Sequence, residues 1–511
     1  MKKANVLLLL ALMIVLGSFL RVYKLDGESF WVDEAATVYT TKQDAVDIVK
    51  DIYTTLEHAP QYFKGGGIPP FYLVVANYWT RLAGLGEAKL RLLSAIFGVI
   101  SVYAIFLVGK DILDEKVGLV SAFLLSINYL QINYSQEARP YSLGILLTLL
   151  SVHFLFNALN KKKIFYWIAY VISSTLLIYT HYFGFLVLLF ESLFLLFYLK
   201  EYWNSMKGIL ISGLSIFVLY IPWLPVLARL VSGSNYLSLY FGKDILWDFA
   251  KIIVQFNSWI TPDFHTRDAL RPLYISLKNL RISDLFAVSW LAWLTIICVI
   301  SITILLGFYF FISLTFKNKK TNKYNFQDKK YIFLLMWLFT PILIPILVTV
   351  IFPSSPVFGF VQYTIFASPA YYLIVSKSIL QSRKYAIILG ILLILSILPL
   401  YSYYSNFDKQ QWREAAEYFQ ANRHSNELIV VNVPANILPL SYYYEDMDNV
   451  VGIANVEDLN REIKDKNTVW LLYSSEKYGD SEGTIKNRLD AIYKLDKKIE
   501  FTGIKIFYYT E

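Results

Sequence analysis

The chain has 511 residues, 56% of them hydrophobic and 17% charged, with a net charge of +8 and a mean hydropathy of +0.47. Soluble proteins carry about 45–50% apolar residues and about 25% charge, so the excess excludes a plain cytosolic enzyme and a disordered chain. The only cysteine, Cys298, lies in an apolar run, which excludes a disulfide-stapled secreted scaffold.

A membrane-crossing helix needs roughly 20 apolar residues. Runs of that kind fall near 4–20, 90–109, 117–134, 140–159, 164–180, 183–199, 208–228, 285–316, 331–352, 364–381 and 384–404, which predicts eleven spans. The first follows Lys2-Lys3 and has no small-x-small cleavage pattern before Arg21, so an uncleaved helix is expected rather than a signal peptide. Basic residues orient such a chain, because they stay on the cytoplasmic side. With the N-terminus cytoplasmic, that side receives Lys110 and Lys116, Lys161 to Lys163, Lys200 and Lys207, the six lysines between Lys317 and Lys330, and Lys377, Arg383 and Lys384. The opposite side receives the connections 21–89 and 229–284 and the tail from 405. The first of these is rich in acids, from Asp26 and Glu28 to Asp51 and Glu57. The positive charge is therefore a topology signal and not a nucleic-acid footprint.

In chain order, the first outer connection holds Phe30-Trp31-Val32-Asp33-Glu34-Ala35, two acids beside aromatics near the bilayer surface. Neighbouring residues on a helix point different ways. One acid could meet a substrate hydroxyl while the other faces a support; an acidic first turn complementing the helix dipole fits the same residues. Next comes Lys64-Gly65-Gly66-Gly67-Ile68-Pro69-Pro70-Phe71-Tyr72, which reads as a flexible connector or a weak phosphate turn, since no GK[ST] follows. The helix after it carries Trp79 and Arg81, suited to the interface.

Two polar stretches end spans on the outer side: Tyr134-Ser135-Gln136-Glu137-Ala138-Arg139 and Tyr179-Thr180-His181-Tyr182-Phe183. Charges at a membrane boundary are costly unless paired, solvated or functional. The planar fork of an arginine matches phosphate oxygens, whereas a solvated corner between helices is the plain alternative. No HxxxH or His–Cys spacing indicates a structural metal. In the tail, 411–419 reads as an amphipathic helix with Trp412, Ala415, Ala416 and Phe419 on one face. Segments 428–431, 469–473 and 504–508 read as strands of a small α/β domain.

Taken together, the Phe30–Ala35 stretch, Pro69-Pro70-Phe71-Tyr72 with Trp79, Leu90-Arg91-Leu92-Leu93-Ser94-Ala95-Ile96-Phe97-Gly98, the two span-end motifs and Gln411-Trp412-Arg413-Glu414-Ala415 resemble the dolichyl-phosphate-mannose–protein mannosyltransferase-like superfamily of glycosyltransferases, in its prokaryotic branch. The resemblance implies the GT-C fold. It would comprise an all-α polytopic membrane domain over 1–404, with about eleven transmembrane helices, and a small C-terminal α/β extracytoplasmic domain over 405–511. It also implies an inverting transfer, on the outer face of the cell membrane, from a polyprenyl-phosphate sugar to a hydroxyl of a protein, lipid or polysaccharide. Asp33 would be the general base, with Glu34 assisting acceptor positioning. Arg139, Glu137, His181, Lys64, Tyr62 and Arg91 are the candidates for the donor phosphate and substrate. The residues name no certain cofactor and leave a divalent metal open.

The chain departs from the family pattern at Ile68, where a polar residue is common, and at Gln362, where an arginine is common. Two other classes fit the composition. A flippase of lipid-linked glycans needs ionisable groups deep in the spans, whereas those here are expected to cluster at the outer rim. A non-catalytic glycan-assembly scaffold would use the tail as a binding module, and the retained Asp33 counts against it.

Overall fold

The computed structural model describes residues 2–54, 68–232, 245–257, 329–351, 361–407, 409–474, 480 and 483–511. Tyr62, Lys64 and the expected span 285–316 lie outside them. The chain divides into two compact units. One comprises Met1–Tyr23, Ile68–Tyr72 and Arg91–Ser405; the other comprises Lys24–Gly67, Leu73–Leu90 and Asn406–Glu511.

The first unit is helical. Among the described residues six helices are long and apolar enough to cross a membrane: Lys3–Val22, Glu87–Ile112, Tyr141–Lys161, Trp203–Leu230, Lys329–Ile351 and Tyr385–Ser405. Two shorter apolar helices, Ile164–Thr180 and Gly184–Phe197, stand where spans were expected. The protein is thus a multi-pass membrane protein. Helix Lys3–Val22 buries one seam, Val6, Leu10, Gly17 and Arg21, and leaves Leu8, Leu12, Val15 and Phe19 outward. An outward apolar face of this kind suits lipid.

Two expected spans are not continuous rods. The run 117–134 is split into Glu115–Ile127 and Tyr129–Ser135, bent by 62° at Asn128. The Asn128 side chain accepts from the Gln131 backbone N–H, so it caps the second piece. The run 364–381 opens with the short helix Val361–Thr364 and a 3-10 turn, and only Ser368–Gln381 forms a longer helix.

A helix break in an apolar setting strands carbonyls, and each must find a donor. Here the donor is Arg21, wholly buried at the end of the first helix. Its guanidinium donates to the carbonyls of Leu125 (3.0 Å), Ser126 (3.1 Å) and Gly17 (3.2 Å), and to Ser135 Oγ (3.2 Å). Gly98 lets this happen: a Cβ there would lie 2.9 Å from both Arg21 Nε and Ser135 Cβ. Tyr372 OH donates to Asn128 Oδ1, and Gln131 Nε2 donates to Ser368 Oγ, tying the break to helix Ser368–Gln381.

The second unit holds a five-stranded sheet: β1 Leu428–Val431, β2 Val450–Gly452, β3 Thr468–Ser474, β4 Lys494–Phe501 and β5 Ile504–Thr510. The order is β2-β1-β3-β5-β4, with β1 parallel to β2 and β3, and β5 antiparallel to β3 and β4. Alternate side chains face opposite layers. Leu428, Val430, Val469 and Leu471 pack with Leu459, Ile485 and Leu489 on one side. Ile429, Val431, Trp470 and Leu472 pack with Trp412, Ala415, Ala416, Phe419 and Leu440 on the other. Covering on both faces explains why β1 is buried at every residue. The expected helix is Trp412–Asn422, with the four expected residues buried. Strands β2 and β4 were not expected. β2 has only three residues, and β4 is an exposed, lysine-rich edge that lacks an apolar alternation.

Candidate functional site

The sequence candidates fall into two groups, one in each unit. In the helical unit, Tyr134–Arg139 turns out to be largely structural. Gln136 Nε2 donates to the carbonyls of Leu20, Arg21 and Tyr23, closing the end of the first helix. Its Oε1 accepts from Tyr403 OH at 2.8 Å. Ser135 holds Arg21, as above. The two motif residues left for chemistry are Glu137, which is buried, and Arg139, which is half-buried. The Arg139 carbonyl accepts from Ser94 Oγ, and Ser94 shares a hydrogen bond with Tyr72 OH (3.0 Å). Three separate sequence motifs thus meet at one hydroxyl. Arg91, one turn before Ser94, is 2% exposed.

His181 follows helix Ile164–Thr180 and is enclosed by rings: Phe366 at 5.2 Å, Phe183 and Tyr363 at 5.7 Å, and Tyr141 at 5.9 Å. The backbone N–H of Phe183 donates to Nδ1. A neutral imidazole therefore keeps its proton on Nε2, the nitrogen able to donate to a ligand. The ring-enclosed His181 thus offers a hydrogen-bond donor, and Arg139 supplies a cation in the same unit. Gln362, beside it in sequence to Tyr363, accepts weakly from Tyr134 OH at 3.5 Å.

In the other unit, Asp33 and Glu34 open helix Val32–Thr41. Asp33 is half-buried and Glu34 fully buried. Glu34 Oε2 pairs with Lys409 Nζ at 3.3 Å, and the Lys409 backbone N–H donates to Glu28 Oε1 at 3.0 Å. The tail motif Gln411–Ala415 grips the same stretch. Arg413 N donates to Ser29 Oγ, and its guanidinium reaches the Asp26 carbonyl and Glu87 Oε1 (2.7 Å). Tyr443 OH donates to Glu87 Oε1 and accepts from Phe30 N at 2.7 Å.

Sequence reasoning missed Lys409, Tyr443 and one further acid. Glu191 is fully buried in helix Gly184–Phe197, taking hydrogen bonds from Ser151 (2.9 Å) and Tyr170 (3.0 Å). That corrects the reading of acids as confined to the rim. The signal was a single Glu in an otherwise apolar run. Among the described residues no three His, Cys, Asp or Glu side chains come together as a metal site.

Residues 68–225 match the family described as dolichyl-phosphate-mannose-protein mannosyltransferase. No curated protein sequence matches the chain. Among solved structures, the archaeal oligosaccharyltransferase AglB from Archaeoglobus fulgidus, in complex with an inhibitory peptide and a dolichol-phosphate, aligns with a TM-score of 0.54 at 13% identity, covering 99% of this chain and 74% of that one. An Archaeoglobus fulgidus oligosaccharyltransferase in the apo form gives 0.53, also at 13% identity, covering 100% and 74%. ArnT from Cupriavidus metallidurans gives 0.47 at 12% identity, covering 99% and 98%. The chain is therefore a multi-pass membrane protein of the GT-C fold whose residues 68–225 carry the dolichyl-phosphate-mannose-protein mannosyltransferase pattern.

Proposed function

We propose that the protein is an inverting glycosyltransferase that moves a sugar from a polyprenyl-phosphate donor to an acceptor hydroxyl at the outer face of the membrane. The observation that carries the reading is the family match over 68–225, which spans the cation Arg139 and the ring-enclosed donor His181. An arginine fork and an Nε2–H donor suit a leaving lipid phosphate. That group departs as an anion, so cationic stabilisation serves it better than a proton donor. Asp33 is given the acceptor: an ionised carboxylate held about 2.6–3.2 Å from a hydroxyl removes its proton as the new bond forms. One base and one phosphate clamp suffice, without the paired carboxylates of hydrolases that act through a covalent intermediate.

The test is a transfer assay with the purified chain, a panel of polyprenyl-phosphate sugars and mixed protein, lipid and polysaccharide acceptors, read by mass spectrometry. Asp33→Asn is expected to lower turnover by about 10²–10⁴-fold, the usual worth of a general base. Turnover equal to the parent would remove Asp33 from the chemistry.

A further inference from the structure

Helix Val32–Thr41 begins without a side-chain cap: Trp31 at its N-cap position makes no such bond. A start without a side-chain cap relies on other contacts to hold its first turn. Yet this first turn carries Asp33, whose direction a base must hold. What anchors the turn comes from the tail. Lys409 is held at both ends by the first connection, its backbone N–H on Glu28 and its ammonium on Glu34. The Lys409 and Glu34 side chains are 9% and 0% exposed, so solvent screens their attraction little. Just ahead of the turn, Phe30 is fixed through its N–H on Tyr443 OH and through its ring on Tyr442 at 5.2 Å.

We propose that Lys409 is a positioning residue for Asp33, acting through the buried Lys409–Glu34 ion pair. Adjacent helical residues lie about 100° apart around the axis, so a fixed Glu34 sets where Asp33 points. Glu34 is then an anchor and not an acceptor ligand, and the tail is part of the machinery and not a separate binding module. A displacement of about 1 Å in a reacting group can cost about 100-fold in rate. This inference rests on the reading of Asp33 as the base.

The experiment uses the full chain and the transfer assay above, with Lys409→Met, Lys409→Arg, Asp33→Asn and thermal unfolding of each variant. Lys409→Met is expected to lower kcat by about 10–100-fold, with donor KM within about twofold of the parent. Lys409→Arg, which keeps the cation, restores most of the rate. A parental kcat in Lys409→Met overturns the proposal. So does a raised donor KM at constant kcat, which would put Lys409 on the donor itself. Loss of activity in Met and Arg variants alike, with matching loss of thermal stability, also overturns it, since that is general unfolding. If Asp33→Asn keeps the parental rate, the base reading fails and this one with it. If Asp33→Asn is inactive while Lys409→Met is not, only the positioning role fails.

Discussion

Some side chains that looked like chemistry in the sequence build the fold instead. Ser135 and Gln136 do so, because their partners are the Arg21 guanidinium and the carbonyls closing the first helix. Sequence reading could not separate them from Glu137 and Arg139, since all four are polar and close together, and the first-helix partners of Ser135 and Gln136 lie more than a hundred positions away. Gly98 carries a similar hidden duty. It stood inside an apparent family motif, but its role is room for Arg21 and Ser135. Gly98→Ala is expected to destabilise the protein by about 1–3 kcal/mol, as overpacking does. Thermal unfolding in detergent checks this, and an unchanged midpoint would show that the seam gives way. Asp33, Glu34, Arg139 and His181 could be listed from the sequence because ionisable residues are rare in apolar chains. Lys409 could not, because lysines in a soluble tail are ordinary.

At the scale of elements, apolar runs announce themselves and breaks do not. Hydropathy averages over some twenty residues, so a single Asn128 leaves no mark on it while turning the helix by 62°. Strands β1, β3 and β5 were legible as short apolar runs, whereas the sequence of β4, KLDKKIEF, serves an exposed edge. Between β1 and its preceding helix, Glu427 accepts from Trp470 Nε1 and the His424 N–H at 2.9 Å each, and from Tyr508 OH at 3.0 Å. Burial pushes its carboxyl up, but these hydrogen bonds outweigh it and hold the group below the usual carboxylate value. A depressed folded value adds stability above the unfolded value, about 4.3, and that stability is lost as pH falls through the folded one. Glu427→Gln is therefore expected to be less stable at neutral pH and to show a shallower fall in stability below about pH 4.3. Unfolding monitored by tryptophan fluorescence across that range checks it. Parallel curves for both proteins would discount the carboxylate.

For the whole molecule, lysine placement predicts a cytoplasmic side holding Lys162 and an outer side holding the tail. In a Cys298→Ser background, Lys162→Cys is expected to resist an impermeant maleimide applied to intact cells and Glu457→Cys to react; the reverse pattern would invert the topology. The apolar helices and the small α/β fold of the tail were readable because they depend on composition along the chain. The pairing of tail with first connection was not, because nothing local records a partner 384 residues distant. That separation has a bearing on biogenesis. Ser29 leaves the ribosome among the earliest residues and Arg413 among the last, yet each completes the other. During synthesis, the stretch bearing Asp33 must wait in an unfinished state while every intervening helix is inserted. Completion of this stretch is thereby delayed until the tail has been delivered and folded, and a nascent chain stalled before Lys409 would occupy the membrane with the Lys409–Glu34 pair still unmade.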